Sequence, residues 1–592
     1  MTITTTIGRR RYILLSGVAL GVVLLAGCAW IGVRGYLAKQ ELKAAAATIS
    51  QIRSAVTTNK SSIATSLGKR LAEQTGRAAD YTSDPLWRAA ETAPWVGPNL
   101  SAARKIAAVT DSVARNAINP LLAAASGIRH KDLRPVNGAI DLKPIVAVQQ
   151  KVAEAARVLR AAQREVRQID VRGTVGEVRA AQTKLATGVA TALTGIQSVD
   201  RTVRLLPPML GATGPRNYLL LFQTPAELRA AGGITGALAV IHTENGRISL
   251  AAQANSGDFP HHPQPVLPLP AETRALYGEI VGEYIQDVGL TPNFPLTAQL
   301  AREMWRLRYG VTVDGVITAD PVVLSYLLGA TGPVVLPGGE TLTSVNVVPL
   351  LLSEVYHRYP KPSDQDKFFA GAAAAVFGEL SKGQPDPVAL VKAMVRAGTE
   401  RRVLLWSAHP AEQAVLADTT LDGGLPVSST GVKRFGVYFN DATGAKMDRY
   451  LSVTTGVTQL VCRRDQRPQY NVRVTLRNTL AAGQVPGLPE YVSGGAFYGV
   501  PRGSVKTLVS VYGAAGTMSL GVTRDGVPGG YRPTTDTGYP VNTVGVQLAP
   551  GEATELTFSW LGSAPFSGQI LTEGNPVENS NLLIRAGNIC VS

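Results

Sequence analysis

The stretch that decides the fold runs from Asn217 to Asp258 and reads NYLLLFQTPAELRAAGGITGALAVIHTENGRISLAAQANSGD. Two runs rich in strand-forming residues, Ala237–Thr243 and Arg247–Ala251, are separated by Asn245-Gly246. Asn-Gly between such runs predicts a β-hairpin, because both central residues of the favoured turn need a positive φ. The stretch therefore predicts the first sheet of an α/β domain.

A charged turn is predicted just before this hairpin, at the edge of the same sheet. The apolar run Tyr218–Phe222 is followed by the charged residues Glu227 and Arg229, and then by Gly232-Gly233. Glycine allows backbone shapes or close approaches that a Cβ atom would block. Because its neighbours include this glycine pair, Arg229 is the strongest single candidate for a functional residue.

Length and composition predict a globular protein of several domains. The chain has 592 residues, of which 45% are hydrophobic and 17% are charged, so roughly two to four domains are expected. Its net charge of +15 favours contact with anionic material such as phospholipid head groups or phosphate-bearing polymers. The basic residues are scattered along the chain, and no run of Lys/Arg suggests a nucleic-acid arm, so we do not expect a nucleic acid partner.

The N-terminus predicts a membrane anchor. Arg9, Arg10 and Arg11 precede an apolar segment, Tyr12–Val33, whose length of about 22 residues is enough to cross a bilayer as a helix. Arginines before such a segment favour a cytoplasmic N-terminus and an exported remainder. We therefore expect a cytoplasmic tail over residues 1–11, an anchor over 12–33, and a single-pass plasma-membrane protein whose bulk is extracytoplasmic.

The three cysteines leave two questions open. Leu25-Ala26-Gly27-Cys28 has the pattern of a bacterial lipoprotein cleavage site, which would make Cys28 a lipidated N-terminus. Apolar residues continue beyond Cys28, which favours an uncleaved helix instead. Cys462 and Cys590 lie in the expected exported region and are candidates for a disulfide, the alternative being two buried free thiols.

Residues 34–206 are Ala-rich and predict a helical stalk or bundle. Apolar residues such as Val152, Ala155 and Leu159 recur at spacings of three and four, which produces an amphipathic stripe. Trp87 and Trp95 are expected to anchor a turn between two helices. Pro207-Pro208 is expected to stop the helices and to mark a domain boundary.

The remainder predicts two further domains, so the fold class is α+β and multi-domain. Residues 207–418 alternate strands with helices, with helical patterns over Ala271–Gln286 and Thr297–Tyr309, which is typical of a sheet covered by helices. Residues 419–592 contain short strands separated by Gly and Pro and predict an all-β, sandwich-like domain.

Standard catalytic signatures are missing: there is no P-loop, HExxH, nucleophile elbow or CxxC pair. Arginines bind phosphate through bidentate hydrogen bonds, and carboxylates hold Mg²⁺ against it. The candidates for a diphosphate ligand are Arg229, Arg302, Arg306 and Arg358, and those for the metal are Asp258 and Asp314. The alternative is that such charges are solvated helix faces and ion pairs that support the fold.

Four passages carry a resemblance to a known family. They begin at Asp84, Arg216, Val313 and Lys433 and read DPLWRAAETAPWVGPNL, RNYLLLFQTPAELRAAGGITGALAVI, VDGVITADPVVLSYLLGATGPV and KRFGVYFNDATGAKMDRYL. These passages resemble the domain-of-unknown-function family numbered 4012, which comprises membrane-anchored bacterial proteins typical of high-GC Gram-positive organisms. The resemblance implies a location and an architecture, and no settled activity.

The order of elements in the central domain is also similar to the LytR-CpsA-Psr family of cell-envelope ligases. Arg229, the passage from Val313 to Val334, and the segment from Gly339 to Arg358 occupy places that correspond to that family's pattern. The similarity implies transfer of glycopolymers from polyprenyl diphosphate carriers, with arginines on the diphosphate and Mg²⁺ held by aspartate. This chain departs from the pattern because Lys367-Phe368-Phe369 stands where those ligases carry Arg-Gln.

Two functions follow as expectations. The first is a membrane-anchored envelope protein that binds or scaffolds envelope glycopolymer or protein partners. The alternative is a transferase acting on polyprenyl diphosphate-linked glycopolymers in wall or capsule assembly, with Mg²⁺ as its cofactor.

Overall fold

The computed structural model describes residues 6–58, 60–126, 138–381, 387–417, 419–461, 463–496 and 498–584. It has a mixed α and β fold with one apolar N-terminal helix and several sheets, as the fold class predicted. The chain divides into two compact units. Met1–Leu133 and Leu142–Pro207 form the first, and Arg134–Asp141 and Pro208–Ser592 form the second. The central and C-terminal segments that the sequence separates at residue 418 thus belong to one unit.

The first unit is a bundle of helices. The helices are α1 (Thr6–Thr57), α2 (Ser61–Thr82), α3 (Pro85–Ala90), α4 (Gly97–Val113), α5 (Asn119–Ser126), α6 (Lys143–Arg167) and α7 (Gly176–Met209), with a π-helical turn, Ala114–Ile118, before α5. α2 packs against α1, α4 and α5, and α6 packs against α4 and α5. The predicted stripe of α6 is confirmed, because Val152, Ala155 and Leu159 are all buried.

Two sequence expectations about this unit need correction. Trp87 is buried, and its indole N–H donates to the carbonyl of Leu100 (3.1 Å), so it anchors the segment as predicted. Trp95 does not, because 87% of it is exposed. Pro207-Pro208 does not stop the helix either, since α7 continues to Met209. The boundary between the compact units nevertheless falls between these prolines.

The α1 helix has two parts that differ in burial. None of the side chains described between residues 18 and 37 is buried. From Ala38 onward one face of the helix is buried at spacings of three, four and seven, through Ala38, Ala45, Thr48, Ile52 and Ala55. The segment Gly21–Thr57 includes a stretch whose mean hydropathy is 1.6. By length and composition, this segment could cross a membrane. A signal sequence near an N-terminus would meet the same criterion.

The second unit begins with a five-stranded sheet in the order β3-β2-β1-β4-β7. The strands up to this point are β1 (Arg216–Arg229), β2 (Gly232–Glu244), β3 (Arg247–Asn255), β4 (Gly315–Ala319), β5 (Val334–Val335), β6 (Thr341–Leu342) and β7 (Leu405–Ser407). β1, β2 and β3 are antiparallel neighbours, and β4 is parallel to β1. The Asn-Gly hairpin is confirmed, because Asn245 and Gly246 have φ values of 50° and 80°.

Helices accompany this sheet. They are α8 (Ala271–Tyr277), α9 (Phe294–Tyr309), α10 (Pro321–Thr331), α11 (Val347–Pro349), α12 (Val355–Arg358), α13 (Pro362–Ser381), α14 (Pro387–Thr399) and α15 (Pro410–Leu416), with a π-helical turn, Leu350–Glu354, between α11 and α12. The predicted helix Ala271–Gln286 is wrong beyond Tyr277. Gly278 has a φ of 84°, which a right-handed helix does not admit, and short 3₁₀ turns follow it.

The C-terminal part is built of two sheets whose side chains form one core. Its elements are β8 (Val432–Asp441), β9 (Leu451–Leu460), β10 (Gln469–Asn478), α16 (Glu490–Ser493), β11 (Val505–Tyr512), β12 (Met518–Arg524), β13 (Val527–Pro528), β14 (Arg532–Asp536), β15 (Tyr539–Leu548), β16 (Ala553–Leu561), β17 (Gln569–Gly574) and β18 (Asn579–Ile584). The sheet orders are β13-β12-β16-β10-β9-β18 and β14-β15-β11-β8-β17. The shared core also includes Leu228 of β1, so the central and C-terminal parts meet at the end of that strand.

Candidate functional site

The candidate site is built around a bulge at the end of β1. β1 pairs with β2 without interruption from Arg216 to Phe222. Its register shifts between Phe222 and Gln223, and it shifts again between Thr224 and Leu228. Pro225 has no N–H group and cannot donate to the ladder, so the chain bulges there. Gly233 permits this close approach, because a Cβ atom on it would lie 2.5 Å from the carbonyl carbon of Thr224. Glu227 and Arg229 therefore belong to the strand, not to the turn that the sequence predicted.

Side chains from the C-terminal part bind the main chain that follows the bulge. Asp448 accepts a hydrogen bond from the N–H of Leu228 (2.7 Å), and Asn440 accepts one from the N–H of Ala230 (2.8 Å). Asn575 donates to the carbonyl of Arg229 (3.1 Å). Buried main-chain groups must be paired, and here the pairing is made by residues more than two hundred positions away.

Glu227 forms a mostly buried ion pair with Lys446. The ammonium lies 2.7 Å from the Glu227 carboxylate, and the side chains are 8% and 15% exposed for Lys446 and Glu227. The same ammonium lies 4.9 Å from the ring centroids of Tyr356 and Tyr491, at cation–π distance. Burial raises the pKa of Glu227, but the charges of Lys446 and Arg229 lower it by more. Burial likewise lowers the pKa of Lys446 and Glu227 raises it, with a net upward shift, so both groups stay charged.

Arg229 is paired inside the protein as well. Its guanidinium contacts the Asp287 carboxylate at 3.0 Å, and it also donates to the carbonyl of Leu228 (3.1 Å). Burial raises the pKa of Asp287 by more than the neighbouring Arg229 lowers it. The side chain of the arginine that the sequence singled out is thus bound within the central part, and its carbonyl accepts the hydrogen bond from Asn575.

Two further carboxyls lie beside these pairs. Asp441 accepts hydrogen bonds from the N–H groups of Thr443 and Gly444, both at 2.9 Å. Burial raises its pKa to about 6. Asp448 is 1% exposed, and one of its oxygens has no hydrogen-bond partner. Burial, with the nearby Asp441 carboxylate adding to it, raises the pKa of Asp448 well above its usual range.

We call these six residues the Glu227 cluster: Glu227, Arg229, Asp287, Asp441, Lys446 and Asp448. Each of its two cations has a carboxylate partner, and burial favours the protonated form of the remaining carboxyls. Such an arrangement holds two parts of a fold in register. It leaves neither Arg229 nor Lys446 unpaired for an anionic ligand.

The other predicted diphosphate-binding arginines have partners of their own. Arg302 donates to the carbonyl of Val313 (2.8 Å). Arg306 pairs with Glu303 on the exposed side of α9 (2.6 Å). Arg358 pairs with Glu340 (2.6 Å) and Glu354 (2.7 Å). Among the described residues, no hydrogen-bond or ion-pair partner is common to any two of the four arginines. A shared diphosphate site remains a prediction that these contacts do not support.

The predicted metal residues lie in different elements. Asp258 ends a 3₁₀ turn after β3, where it accepts a hydrogen bond from the N–H of Asn255 (2.8 Å). Asp314 precedes β4 and is held by Arg216, by His409 and by the N–H of Asn217. Within the described ranges there is no group of three or more His, Cys, Asp or Glu side chains that could hold a metal ion, so the Mg²⁺ prediction gains no support.

Of the cysteines, only Cys28 is described, and it is exposed on α1. Cys462 and Cys590, the predicted disulfide pair, lie outside the described residues.

Comparison with known proteins finds a family model that matches the segment containing β1. Residues 213–356 match the model of the family described as Protein of unknown function (DUF4012). This DUF4012 segment includes Glu227, Arg229 and Asp287, and it ends at Tyr356, whose ring contacts Lys446. No curated protein matches the chain. A solved structure of a candidate nutrient-binding protein from Legionella pneumophila is 8% identical, with a TM-score of 0.13, over 23% of this chain and 43% of that chain. Such a likeness carries no argument.

Several residues of the Glu227 cluster were not candidates from the sequence. Asp441, Lys446 and Asp448 of this cluster lie in the passage that begins at Lys433, as does Asn440, which binds the N–H of Ala230. The passage carries a resemblance to the family, and it also places two of these polar residues at the end of β8 and two just after it. Polar residues at the end of a strand that carries Phe435 and Phe439 were the available signal. Their partner in the DUF4012 segment could not be read from it.

The raised pKa values predict how stability depends on pH. Asp441 and Asp448 have raised pKa values in the folded state. Their contribution to the free energy of unfolding is therefore fully present below the unfolded pKa of about 3.9. It is lost as the pH rises through the folded pKa. Asp448→Asn keeps an oxygen acceptor for Leu228 and cannot ionise. We expect its melting temperature, relative to wild type, to rise progressively between pH 4 and pH 7.

The control is Asp364→Asn, which removes a carboxyl at the start of α13 that forms an exposed ion pair with Lys367. Because surface ion pairs contribute little to stability, its melting temperature should stay close to that of wild type at both pH values. A constant difference for Asp448→Asn over the same range would show that Asp448 does not titrate as its burial requires.

Proposed function

We propose that the protein is a membrane-anchored, extracytoplasmic envelope protein that binds or scaffolds envelope glycopolymers or protein partners. The observation that carries the proposal is the α1 helix. Its exposed, apolar part continues without a break into the part that packs in the bundle. A helix whose apolar side chains have no partners in the fold fits a lipid environment.

The continuity of α1 favours an uncleaved anchor over the alternatives. Cleavage before Cys28 would fall inside the helix, and the exposed apolar residues Trp30 and Val33 would remain on the mature protein. A lipoprotein would not need such residues after its lipidated cysteine. The arginines at positions 9 to 11 support a cytoplasmic N-terminus and an extracytoplasmic bulk.

Binding is favoured over diphosphate transfer by the state of the arginines. The four candidate arginines are engaged with Asp287, with the carbonyl of Val313, and with glutamates. The net charge of +15 supports an anionic envelope partner. A groove of about 470 Å³ between α10 and α14, lined in part by Tyr326, Lys392 and Ser344, is a surface where such a polymer would fit.

The experiment is a topology and extraction assay on the full-length chain. A reporter that is active only outside the cytoplasm, fused to the C-terminus, should be active. The protein should remain in the membrane pellet after alkaline extraction and should be released by detergent. Cys28→Ala should change neither result, because the helix rather than a lipid holds the protein.

Three outcomes would contradict the proposed topology or anchor. A cytoplasmic C-terminus would overturn the topology, and release without detergent would overturn the anchor. Release by Cys28→Ala alone would establish the lipoprotein alternative.

For the binding role, isolated anionic envelope polymer should retain the wild type better than Lys392→Glu, and the exposed-site control Lys69→Glu should behave as wild type. Equal retention of both variants would remove the groove as the binding surface.

A further inference from the structure

We propose that the loop around Trp95 is a second membrane contact, which enters the interfacial layer of the bilayer beside α1. We call residues 85–96, which comprise α3 and the turn after it, the Trp95 loop. The inference rests on the proposed anchor and adds a lipid-facing surface that belongs to the bundle itself.

The first step is the position of the Trp95 loop along α1. Arg34 of α1 forms an ion pair with Asp84 (3.2 Å) and donates to the carbonyl of Asp80 (3.1 Å). Asp84 is the N-cap of α3, since its carboxylate accepts a hydrogen bond from the N–H of Trp87 (3.0 Å). The ring of Trp87 lies against Gly35, at 3.6 Å from a Cβ atom placed there. The loop is therefore attached to α1 at residues 34 and 35.

The second step concerns the change in burial along α1 just after residues 34 and 35. The stretch without buried side chains ends at residue 37, and packing in the bundle begins at Ala38. Arg34 also lies over the rings of Trp30 (4.9 Å) and Tyr81 (5.8 Å). Arginine with Trp and Tyr is the usual composition of the membrane–water boundary. The Trp95 loop is thus held at the level where α1 would leave the bilayer.

The third step is the surface of the loop. Leu86, Trp95 and Val96 are 54%, 87% and 53% exposed. Trp95 has a φ of 63°, a conformation that bulky residues rarely adopt. This tryptophan raises the free energy of the folded protein in two ways, through its unusual backbone conformation and through the contact of its ring with water. Contact with the bilayer interface, which tryptophan prefers, would offset the exposure.

The fourth step is that the loop is rigidly built. Asn99 donates to the carbonyl of Trp95 (3.0 Å), and Arg104 binds Glu91 through two hydrogen bonds (2.6 and 3.1 Å). A Cβ atom on Gly97 would lie 2.1 Å from the carbonyl oxygen of Glu91. The apolar side chains are therefore presented by a fixed backbone, so little ordering is required when they bind.

The test uses the full-length protein in two sets of vesicles, one with lipids brominated near the head group and one with lipids brominated at mid-chain. A fluorophore that responds to polarity is placed at one position at a time by Trp95→Cys, Ile63→Cys or Val22→Cys, in a background in which the three native cysteines are serine. Ile63 is the matched control: it is also apolar and exposed, but it lies on α2 about 27 Å from Tyr81 along the helix.

We expect the label at position 95 to shift its emission to the blue and to be quenched by the head-group bromines, and the label at position 22 to be quenched by the mid-chain bromines. The label at position 63 should be quenched by neither. Quenching at 22 without quenching at 95 would overturn this inference and leave the anchor intact. No quenching at 22 would overturn the anchor itself. Quenching at 63 as well would show that the bundle lies flat on the membrane, which would overturn a contact confined to the Trp95 loop.

Discussion

Lys446→Met should lower the free energy of unfolding of the second unit by about 3–5 kcal/mol, because removing one partner of a buried ion pair leaves the other charge uncompensated. Glu227 would keep its negative charge in a mostly buried place, with only Arg229 to offset it. The cation–π contacts with Tyr356 and Tyr491 would be lost as well. The measurement is denaturant unfolding of the full-length protein in detergent.

The matched control is Lys361→Met, which removes an equal charge from an exposed lysine of the same unit and should change stability by less than about 0.5 kcal/mol. The double variant Glu227→Gln with Lys446→Met should recover much of the loss, since no unpaired charge remains. If the single variant and its control have equal stability, the Glu227 cluster does not hold the two parts together.

Trp87→Ala should destabilise the helical bundle by about 3–5 kcal/mol, the usual cost of removing a large aromatic side chain from a core. The ring is 2% exposed, lies against Gly35 and donates a hydrogen bond to Leu100. The substitution leaves a cavity between α1, α3 and α4 and removes the hydrogen bond to the carbonyl of Leu100. Faster amide hydrogen exchange in α3 and α4 of the full-length protein would report the loss.

The matched control for this change is Trp95→Ala, eight residues further along the same segment. Trp95 packs little against the fold, so its removal should change stability by about 0.5 kcal/mol or less in detergent. Equal protection from exchange in the two variants would mean that Trp87 is not the anchor of this segment. The pair separates a tryptophan that the fold needs from one for which the fold has no use.

Local patterns gave reliable predictions where the cause of the structure is local. Asn245-Gly246 specified its hairpin, because the turn's φ values depend on these two residues alone. The spacing of Val152, Ala155 and Leu159 specified the buried face of α6 for the same reason. Where a local preference was overridden, a single residue explains it: Gly278 ends the helix that the pattern extended to Gln286.

Pairing between distant residues could not be predicted in this way. Glu227 and Lys446 are separated by 219 positions, and nothing near either residue specifies the other. The sequence singled out Arg229 because of its charge and its glycine neighbours. In the structure, the glycine pair makes room for the bulge at Pro225, and the charge is paired with the partly buried carboxylate of Asp287. The alternative of ion pairs that support the fold describes these contacts better than a ligand site does.

The unbroken α1 helix has a mechanical consequence. No hinge separates the stretch below Arg34 from the stretch that packs in the bundle, so the two parts must tilt together. A transmembrane helix adjusts its tilt to the thickness of the bilayer. If α1 spans the membrane as proposed, the helical bundle would therefore lean by the same angle as α1 in a thinner or thicker membrane, and it could not rotate independently of that helix.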